Sequence, residues 1–416
     1  MAIKMCGFLG LALVVVLALL IVPSSGQVTV VKVMNVVRAG ADPASMTYDF
    51  GKGEIFMGSG APYSTKGNIY VLCDANNSIV ANIELTFEMV NRGYGSLYGL
   101  AYDSGKGEIF ASIAIADTVA VISDNDNSVV STINVGRAPM GVVYDSGKNE
   151  IFVANHESNT VSVISDVNDT VVKTINVPEN PVCLVCDSAK GEIFVASYPS
   201  NVISVISDET NSIVATIPVN IATGWQSMAY DSSKGAIFAV NLGTDTVSVI
   251  TNTVRATVSL PSNTMTAGIA FDSNTGEVLV GNIGPDSLSV ISCNNNTVVQ
   301  IVSLPAQPFQ IVCDSGRGEI FVSNGDGSVT ILTDSSGPHL PPPTVPNSNP
   351  EQNNESSDSK VNETDNQSAN TDSNPDFPAL AVASGAVAIV VIVAVAVLVY
   401  VKKRSNPLSP GKTKAP

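Results

Sequence analysis

The nonapeptide YDSGKGEIF at Tyr102 to Phe110 places two carboxylates, an ammonium group and two glycines within nine positions. Such a set could ligate a cation through its oxygens, cradle a phosphate on glycine amides, or build a turn. A single catalytic or metal site needs its residues once, so recurrence decides between these readings. The set recurs as YDFGKGEIF, YDSGKGEIF, YDSGKNEIF, CDSAKGEIF, YDSSKGAIF, FDSNTGEVL and CDSGRGEIF, anchored on Asp49, Asp103, Asp145, Asp187, Asp231, Asp272 and Asp314. Successive anchors lie 54, 42, 42, 44, 41 and 42 residues apart. A period near 42 with one long insertion is a repeat architecture.

Each period holds four runs rich in Val, Ile, Phe and Thr, clearest from Val142 on: VVYD, EIFVAN, TVSVISD and TVVKTINV. Bounded by Asp, Asn, Gly and Ser, these read as strands. They are apolar at successive positions, which suits sheets covered on both faces. Four strands per period of this length is the blade of a β-propeller. The repeated Asp then sits between the first two strands, where its side chain caps the turn and the Gly or Asn four residues on takes a positive φ. The segment DNDNS, Asp124 to Ser128, resembles a calcium loop but lacks the sixth-position Gly and distal Glu, and reads as the turn between third and fourth strands. No metal ligand set and no cofactor is expected.

The last repeat supplies three strands, ending at SVTILTD, while VTVVKVMNVV near the N-terminus has no blade of its own. The N-terminal strand is expected to complete the seventh sheet and cover its edge. The fold class is therefore all-β, a seven-bladed propeller of four-stranded blades over 27–334.

The flanks carry different signals. Residues 1–26 read as a signal peptide, with Lys4, an apolar run from Phe8 to Val22, and small residues before Gln27. Cys6 precedes the apolar run and is no lipid anchor. Residues 335–377 are rich in Pro, Asn, Ser and acids, with Phe377 their only aromatic, and read as a disordered tether spanning roughly 35–40 Å. Residues 378–401 form an uncharged stretch long enough to span a bilayer, and the tail 402–416 opens with Lys402, Lys403 and Arg404. The expected topology is a single-pass membrane protein with the propeller outside and the tail in the cytoplasm. N-x-S/T sequons start at Asn76, Asn168, Asn295, Asn354, Asn362 and Asn366.

Several chemistries are disfavoured. The formal net charge of −17, with no basic stripe, opposes a nucleic-acid partner. The chain has two histidines, His156 and His339, which removes most triad and zinc schemes. Cys73, Cys183, Cys186, Cys293 and Cys313 follow the signal in odd number. Cys186 and Cys313 replace the repeat Tyr, and Cys183 a small residue, so they read as packing residues.

Copies such as EIFVANHESNTVSVISDVNDTVVKTINV resemble the YVTN-type β-propeller repeats of archaeal cell-surface and surface-layer proteins, related to YncE-like propellers. The resemblance covers residues 28 to 334 and implies the fold. It brings no catalytic set, because the repeat residues it matches are structural. The copies read IFVAN, IFVAS and IFAVN where the name has YVTN.

Function must come from residues that break the repeat. The longest rim loop, Thr86 to Gly99, lies opposite the acid turns, and NIATGWQS holds the only Trp. Arg38, Arg92 and Arg137 precede the inner strands of the first three blades. With Tyr94, Tyr98, Trp225, Gln226 and Phe309 they form a candidate surface for a glycan, an anionic polymer or a surface protein. Loop packing, with arginines paired to Asp42 or Glu88, is the alternative. The leading expectation is a non-enzymatic, membrane-anchored surface module for binding or adhesion. The alternatives are a metal-dependent lactonase or lyase-like enzyme, recognisable by carboxylates or amides converging on the channel, and a purely structural surface-layer component. The sequence sets no oligomeric state.

Overall fold

The computed structural model describes residues 28–35, 43–60, 64–90, 97–219, 223–241, 243–262 and 264–334, without the side chains of 29–35, 43–44 and 223–226. By contact density the chain divides into units Met1–Val345 and Pro346–Pro416, the second wholly outside the described residues. The expected signal peptide, tether, membrane span and tail also lie outside them. No helix among the described residues is long and apolar enough to cross a membrane.

Among the described residues, twenty-eight strands make seven antiparallel four-stranded sheets. After β1 (Thr29–Asn35), blade 1 is β2 (Pro43–Asp49), β3 (Glu54–Ser59), β4 (Lys66–Cys73) and β5 (Ser78–Thr86), and blade 2 is β6 (Leu97–Asp103), β7 (Glu108–Ile113), β8 (Thr118–Ser123) and β9 (Ser128–Asn134). Blade 3 is β10 (Pro139–Asp145), β11 (Glu150–Asn155), β12 (Thr160–Ser165) and β13 (Thr170–Asn176), and blade 4 is β14 (Pro181–Asp187), β15 (Glu192–Ser197), β16 (Val202–Ser207) and β17 (Ser212–Pro218). Blade 5 is β18 (Thr223–Asp231), β19 (Ala236–Asn241), β20 (Thr246–Ile250) and β21 (Val254–Ser259), and blade 6 is β22 (Thr266–Asp272), β23 (Glu277–Asn282), β24 (Ser287–Ser292) and β25 (Thr297–Ser303). Blade 7 is β26 (Pro308–Asp314), β27 (Glu319–Asn324) and β28 (Ser328–Thr333), completed by β1. First strands of successive blades touch around the ring, β26 touching β2.

The core lies between blades. Second strands are buried on both faces, and the motif Phe fills the same place in Phe56, Phe110, Phe152, Phe194, Phe238 and Phe321, with Leu279 in blade 6, none more than 4% exposed. Each such side chain contributes about 1.5–3 kcal/mol by burial. At the end of the second strand a buried Asn ties it to the third: Asn155 Nδ2 donates to Thr160 Oγ1 at 3.1 Å and Ser162 Oγ at 2.9 Å, and Asn241, Asn282 and Asn324 repeat this.

The fourth strands depart from the expectation of two covered faces. Most positions of β17 are exposed, because the outermost strand has diverged from its neighbours and nothing covers its far side. Each carries a bulge. The extra residue in five of them, Val80, Val130, Val172, Val214 and Val299, is 46–56% exposed. A bulge spoils the edge as a template for pairing with another chain.

Closure follows the expected scheme. β1 pairs with β28 from Thr29 opposite Thr333 to Asn35 opposite Ser328. Val28 adds a link to blade 6: its N–H donates to Gln300 Oε1 at 3.1 Å and its carbonyl accepts from Gln300 Nε2 at 2.9 Å. Deleting Val28 to Asn35 should leave β28 as a bare edge, replacing the cooperative melt with a lower, broader one accompanied by light scattering. A parent-like melt would show that β1 does not close the ring.

Candidate functional site

The repeated motif is consumed by the ring. Asp103 Oδ1 accepts from Gly105 N at 2.8 Å and Lys106 N at 3.2 Å, and all seven anchors make at least one such bond within their own turn. The residue four places on has φ between 56° and 70° in every copy, Asn149 standing where the others have Gly. None of the seven aspartates is more than 3% exposed. Asp124 to Ser128 is likewise a turn, with Asp126 Oδ1 accepting from Ser128 N and Oγ. No group of three or more His, Cys, Asp or Glu among the described residues is placed to hold a metal.

The rest of the motif works between blades. Lys106 Nζ donates to the Asp166 carbonyl of blade 3 at 2.7 Å and pairs with Asp169 at 3.1 Å and Glu108 at 2.8 Å. Lys52 reaches the Asp124 carbonyl and Lys234 the Cys293 carbonyl in the same way. Where a Tyr precedes the anchor, as it does in four copies, it works in the other direction. Tyr102, Tyr144 and Tyr230 each set a hydroxyl on the anchor aspartate of the preceding blade, and burial, with those carboxylates, pushes the phenols well above their usual range. Cys186 and Cys313, in the Tyr position, face Asp145 and Asp272, and their thiols are pushed up by burial and then by those acids. Burial raises Cys183 to about 11 and, with Asp231 next in weight, Cys293 to about 12. All five described cysteines are free thiols, and these four are protonated and poor nucleophiles.

Where blade 7 meets blade 1 the acid rim opens into a cavity of about 640 Å³. Tyr48 Oη donates to Asp74 Oδ2 at 2.9 Å there, and burial lifts the Asp74 carboxyl to about 6. Phe50, in the place of the motif Ser, is 69% exposed and stands edge-on to Tyr102 at 5.4 Å. Arg317 is held by Glu319 at 3.2 Å, so the lining groups mainly serve each other.

Strand direction separates two rims. First strands end at the acid turns, so second-to-third and fourth-to-first connections share the opposite rim. Both chain connections are on the acid rim: Thr29 lies opposite Thr333, and Asp334 N donates to the Gly318 carbonyl at 2.9 Å. Asn76, Asn168 and Asn295 are exposed on that rim too, each accepting from the Ser or Thr two residues on. Asn354, Asn362 and Asn366 lie outside the described residues.

The candidate binding residues fare differently. Arg38, Arg92 and Tyr94 lie outside the described residues, as does Asp42. Arg137 is exposed and pairs at 2.5 Å with Glu157, carried by the second-to-third loop of its own blade, rather than with Glu88. Tyr98 and Phe309 are half-buried at the starts of β6 and β26. The Phe309 ring lies over Gly325, where a Cβ would come within 2.9 Å of it. The backbone of Trp225 and Gln226 falls within β18 rather than a loop, in a register irregularity between Thr223 and Met228.

The long insertion covers a surface the sequence reading missed. In blade 2 the second-to-third connection is Ile113-Ala114-Ile115-Ala116, all at most 9% exposed, where blade 3 has Asn155-His156-Glu157-Ser158. Phe87 and Met89 of the insertion pack into this cluster, and Val90 N donates to the Ile115 carbonyl at 3.0 Å. Beside it is a cleft of about 560 Å³, with Phe87, Ile113 and Ala116 among its apolar lining and Glu84, Glu88 and Asn134 among its polar groups. The apolar IAIA among polar loops was the available signal. The axial cavity is smaller, about 130 Å³, with Gln310 its one amide and no carboxylate in its lining.

No family profile matches the chain, and no curated protein does. Among solved structures 1509 chains match. One is the hydrazine synthase of Kuenenia stuttgartiensis, with a TM-score of 0.60 and 12% identity over 72% of this chain and 97% of that one. At that identity the likeness is one of fold.

Asp145→Ala should cost about 0.5–2 kcal/mol, as lost side-chain caps do, read from urea unfolding, with calcium leaving the midpoint unchanged. Lys106→Ala should cost less, because its side chain is 33% exposed and water screens its pairs. A calcium-dependent midpoint abolished in the Asp145 variant would return the motif to metal chemistry.

Proposed function

We propose that the chain is a non-enzymatic, membrane-anchored cell-surface propeller of the YVTN type, a binding or adhesion module for a glycan, envelope component or surface protein. The observation that carries this is the division between rims. The acid rim holds both chain connections and the three described sequon asparagines, and its repeated acids serve the ring. The opposite rim carries the largest described departure from the repeat, the insertion with its cleft, together with Arg137, and in the sequence Arg38, Arg92 and Trp225 fall in or beside the matching fourth-to-first connections. Seven like blades cannot by themselves make one site. The lining of the axial cavity favours binding over a lactonase-like reaction, which needs converging carboxylates. The uncharged stretch 378–401 followed by Lys402, Lys403 and Arg404 supports the anchor and the outward orientation.

A glycan array probed with the full-length chain in detergent tests the reading. An anionic saccharide should be retained in a salt-sensitive manner. Replacing Arg38, Arg92 and Arg137 together by Ala should weaken retention about tenfold, the loss of one to two charge-assisted hydrogen bonds, and flatten the salt dependence. Trp225→Ala should weaken retention with the salt dependence kept. Retention unchanged in both variants would remove this rim as the binding surface. On intact cells, protease should release the propeller by cutting within 335–377; a need for permeabilised cells would reverse the orientation.

A further inference from the structure

In five blades the turn from third to fourth strand closes on one side-chain oxygen, set two residues before the Ser or Thr that opens the fourth strand. That hydroxyl donates to Asn76 Oδ1, Asp126 Oδ1 and Asn168 Oδ1 at 2.7 Å and to Asn295 Oδ1 at 2.8 Å. In blade 4 the pair is Thr210 Oγ1 and Ser212 Oγ, 2.8 Å apart. The residue between the two has φ between 48° and 57° in all five turns. Asp126 and Thr210 show that an acid or a hydroxyl closes this turn as an amide does, so the turn requires only the oxygen.

An asparagine at this place brings more than the turn uses, because its Nδ2 carries two further donors. In the core the same residue type spends that group: Asn155, Asn282 and Asn324 each donate through Nδ2 to two hydroxyls. At Asn76, Asn168 and Asn295 the oxygen faces the turn, and no group among the described residues accepts from Nδ2. Ser78 N also donates to Asn76 Oδ1 at 3.1 Å, and a backbone N–H can only donate, which sets the oxygen on the turn side. All three asparagines are exposed. Asn168 stands in the most firmly framed turn, since Asp169 beside it is held from blade 2 by Lys106 at 3.1 Å and Ser131 Oγ at 3.2 Å. Among the described residues every Asn-x-Ser/Thr triplet falls at this one place in the blade.

We propose that Asn76, Asn168 and Asn295 carry N-linked oligosaccharides. The proposal rests on the outward orientation given above, because the donor is an oligosaccharide held on a lipid phosphate outside the cytoplasm. The bond formed joins Nδ2 to the anomeric carbon of the sugar, and the bond broken joins that carbon to the phosphate oxygen. The lipid phosphate leaves, and Nδ2 gives one of its two protons to a base of the transferring enzyme. Oδ1 takes no part, so the hydrogen bond that closes the turn survives in the product. The sugars stand on the acid rim in blades 1, 3 and 6, the rim that both chain connections use. Each is rooted four residues before an exposed bulge valine, Val80, Val172 or Val299. A bulky hydrated group there hinders the approach of another chain to those strand edges. The opposite rim, with its cleft, has no sequon among the described residues.

Peptide mass spectrometry of the full-length chain, isolated from the membranes of the cells that make it, tests the assignment. Added saccharide mass is expected on at least two of the peptides that hold Asn76, Asn168 and Asn295. Two or more of these peptides without it would overturn the proposal. Replacing all three asparagines by Thr, the residue blade 4 uses, should abolish that mass and leave a cooperative melt close to the parent's. Should the variant fail to fold, the parent's peptides decide alone. The surface reading fails separately from this one. Saccharide confined to Asn354, Asn362 and Asn366 would sink the turn sites while keeping the propeller outside the cell. Bare peptides throughout, with protease still cutting within 335–377 on intact cells, would do the same. Bare peptides together with no cutting on intact cells would remove both readings.

Discussion

A buried carboxylate at the inner hairpin of every blade constrains the rest of this fold. Taking an ion out of water costs several kcal/mol unless donors replace the lost solvation. The turn's own amides supply part of that replacement, as Gly105 and Lys106 do for Asp103. Much of the remainder comes from the next blade: Tyr144 sits on Asp103, and Lys106 is satisfied by the Asp166 carbonyl beyond. A blade is thus electrostatically incomplete without both neighbours. Satisfaction around a circle leaves no place for a terminal blade, and the sheet shared by β28 and β1 is how a linear chain meets that condition.

The same logic separates structure from function. Residues that recur seven times are explained by what each blade needs, and a binding site must draw on what does not recur. Two departures are built into the described structure. Blade 2 replaces a polar loop with Ile113 to Ala116, and the insertion exists in part to cover it, through Phe87 and Met89. Blade 1 replaces a turn Ser with Phe50 where the ring closes. The first lies on the rim free of chain connections, the second on the rim that carries them.

Exposed edges complete the account of a stable ring. Six fourth strands face outward with β-branched residues, a composition that invites pairing with another chain. A bulge in each breaks the ladder, in five of them at the third residue, where the displaced Val side chain points to solvent rather than into a template. Apolar surface and a disrupted backbone are combined, so that the circumference is sticky in side chains but poor in hydrogen-bonding register.

Much of the architecture was legible in the sequence because it is local and repeated. The Asp-to-Gly spacing requires a tight turn whatever surrounds it, four β-rich runs per period require a four-stranded unit, and an unmatched strand at one end with a deficit at the other requires closure. The turn reading of the acids needed no coordinates for the same reason. Partners of individual residues were not legible, because they are set by neighbours about 40 or more positions away. Nothing in YDSGK states that Tyr102 serves Asp49 or that Lys106 serves Asp166. Arg137 pairs with Glu157 because folding of the second-to-third loop sets that acid beside it. The strand around Trp225 extended through what composition marked as a loop, since cross-strand pairing with β19 outweighs local preference. The meeting of aspartates across blade boundaries belongs wholly to the tertiary structure: residues some 60 to 75 apart, or about 240 for Asp74 and Asp314, influence one another only when the ring brings the blades edge to edge.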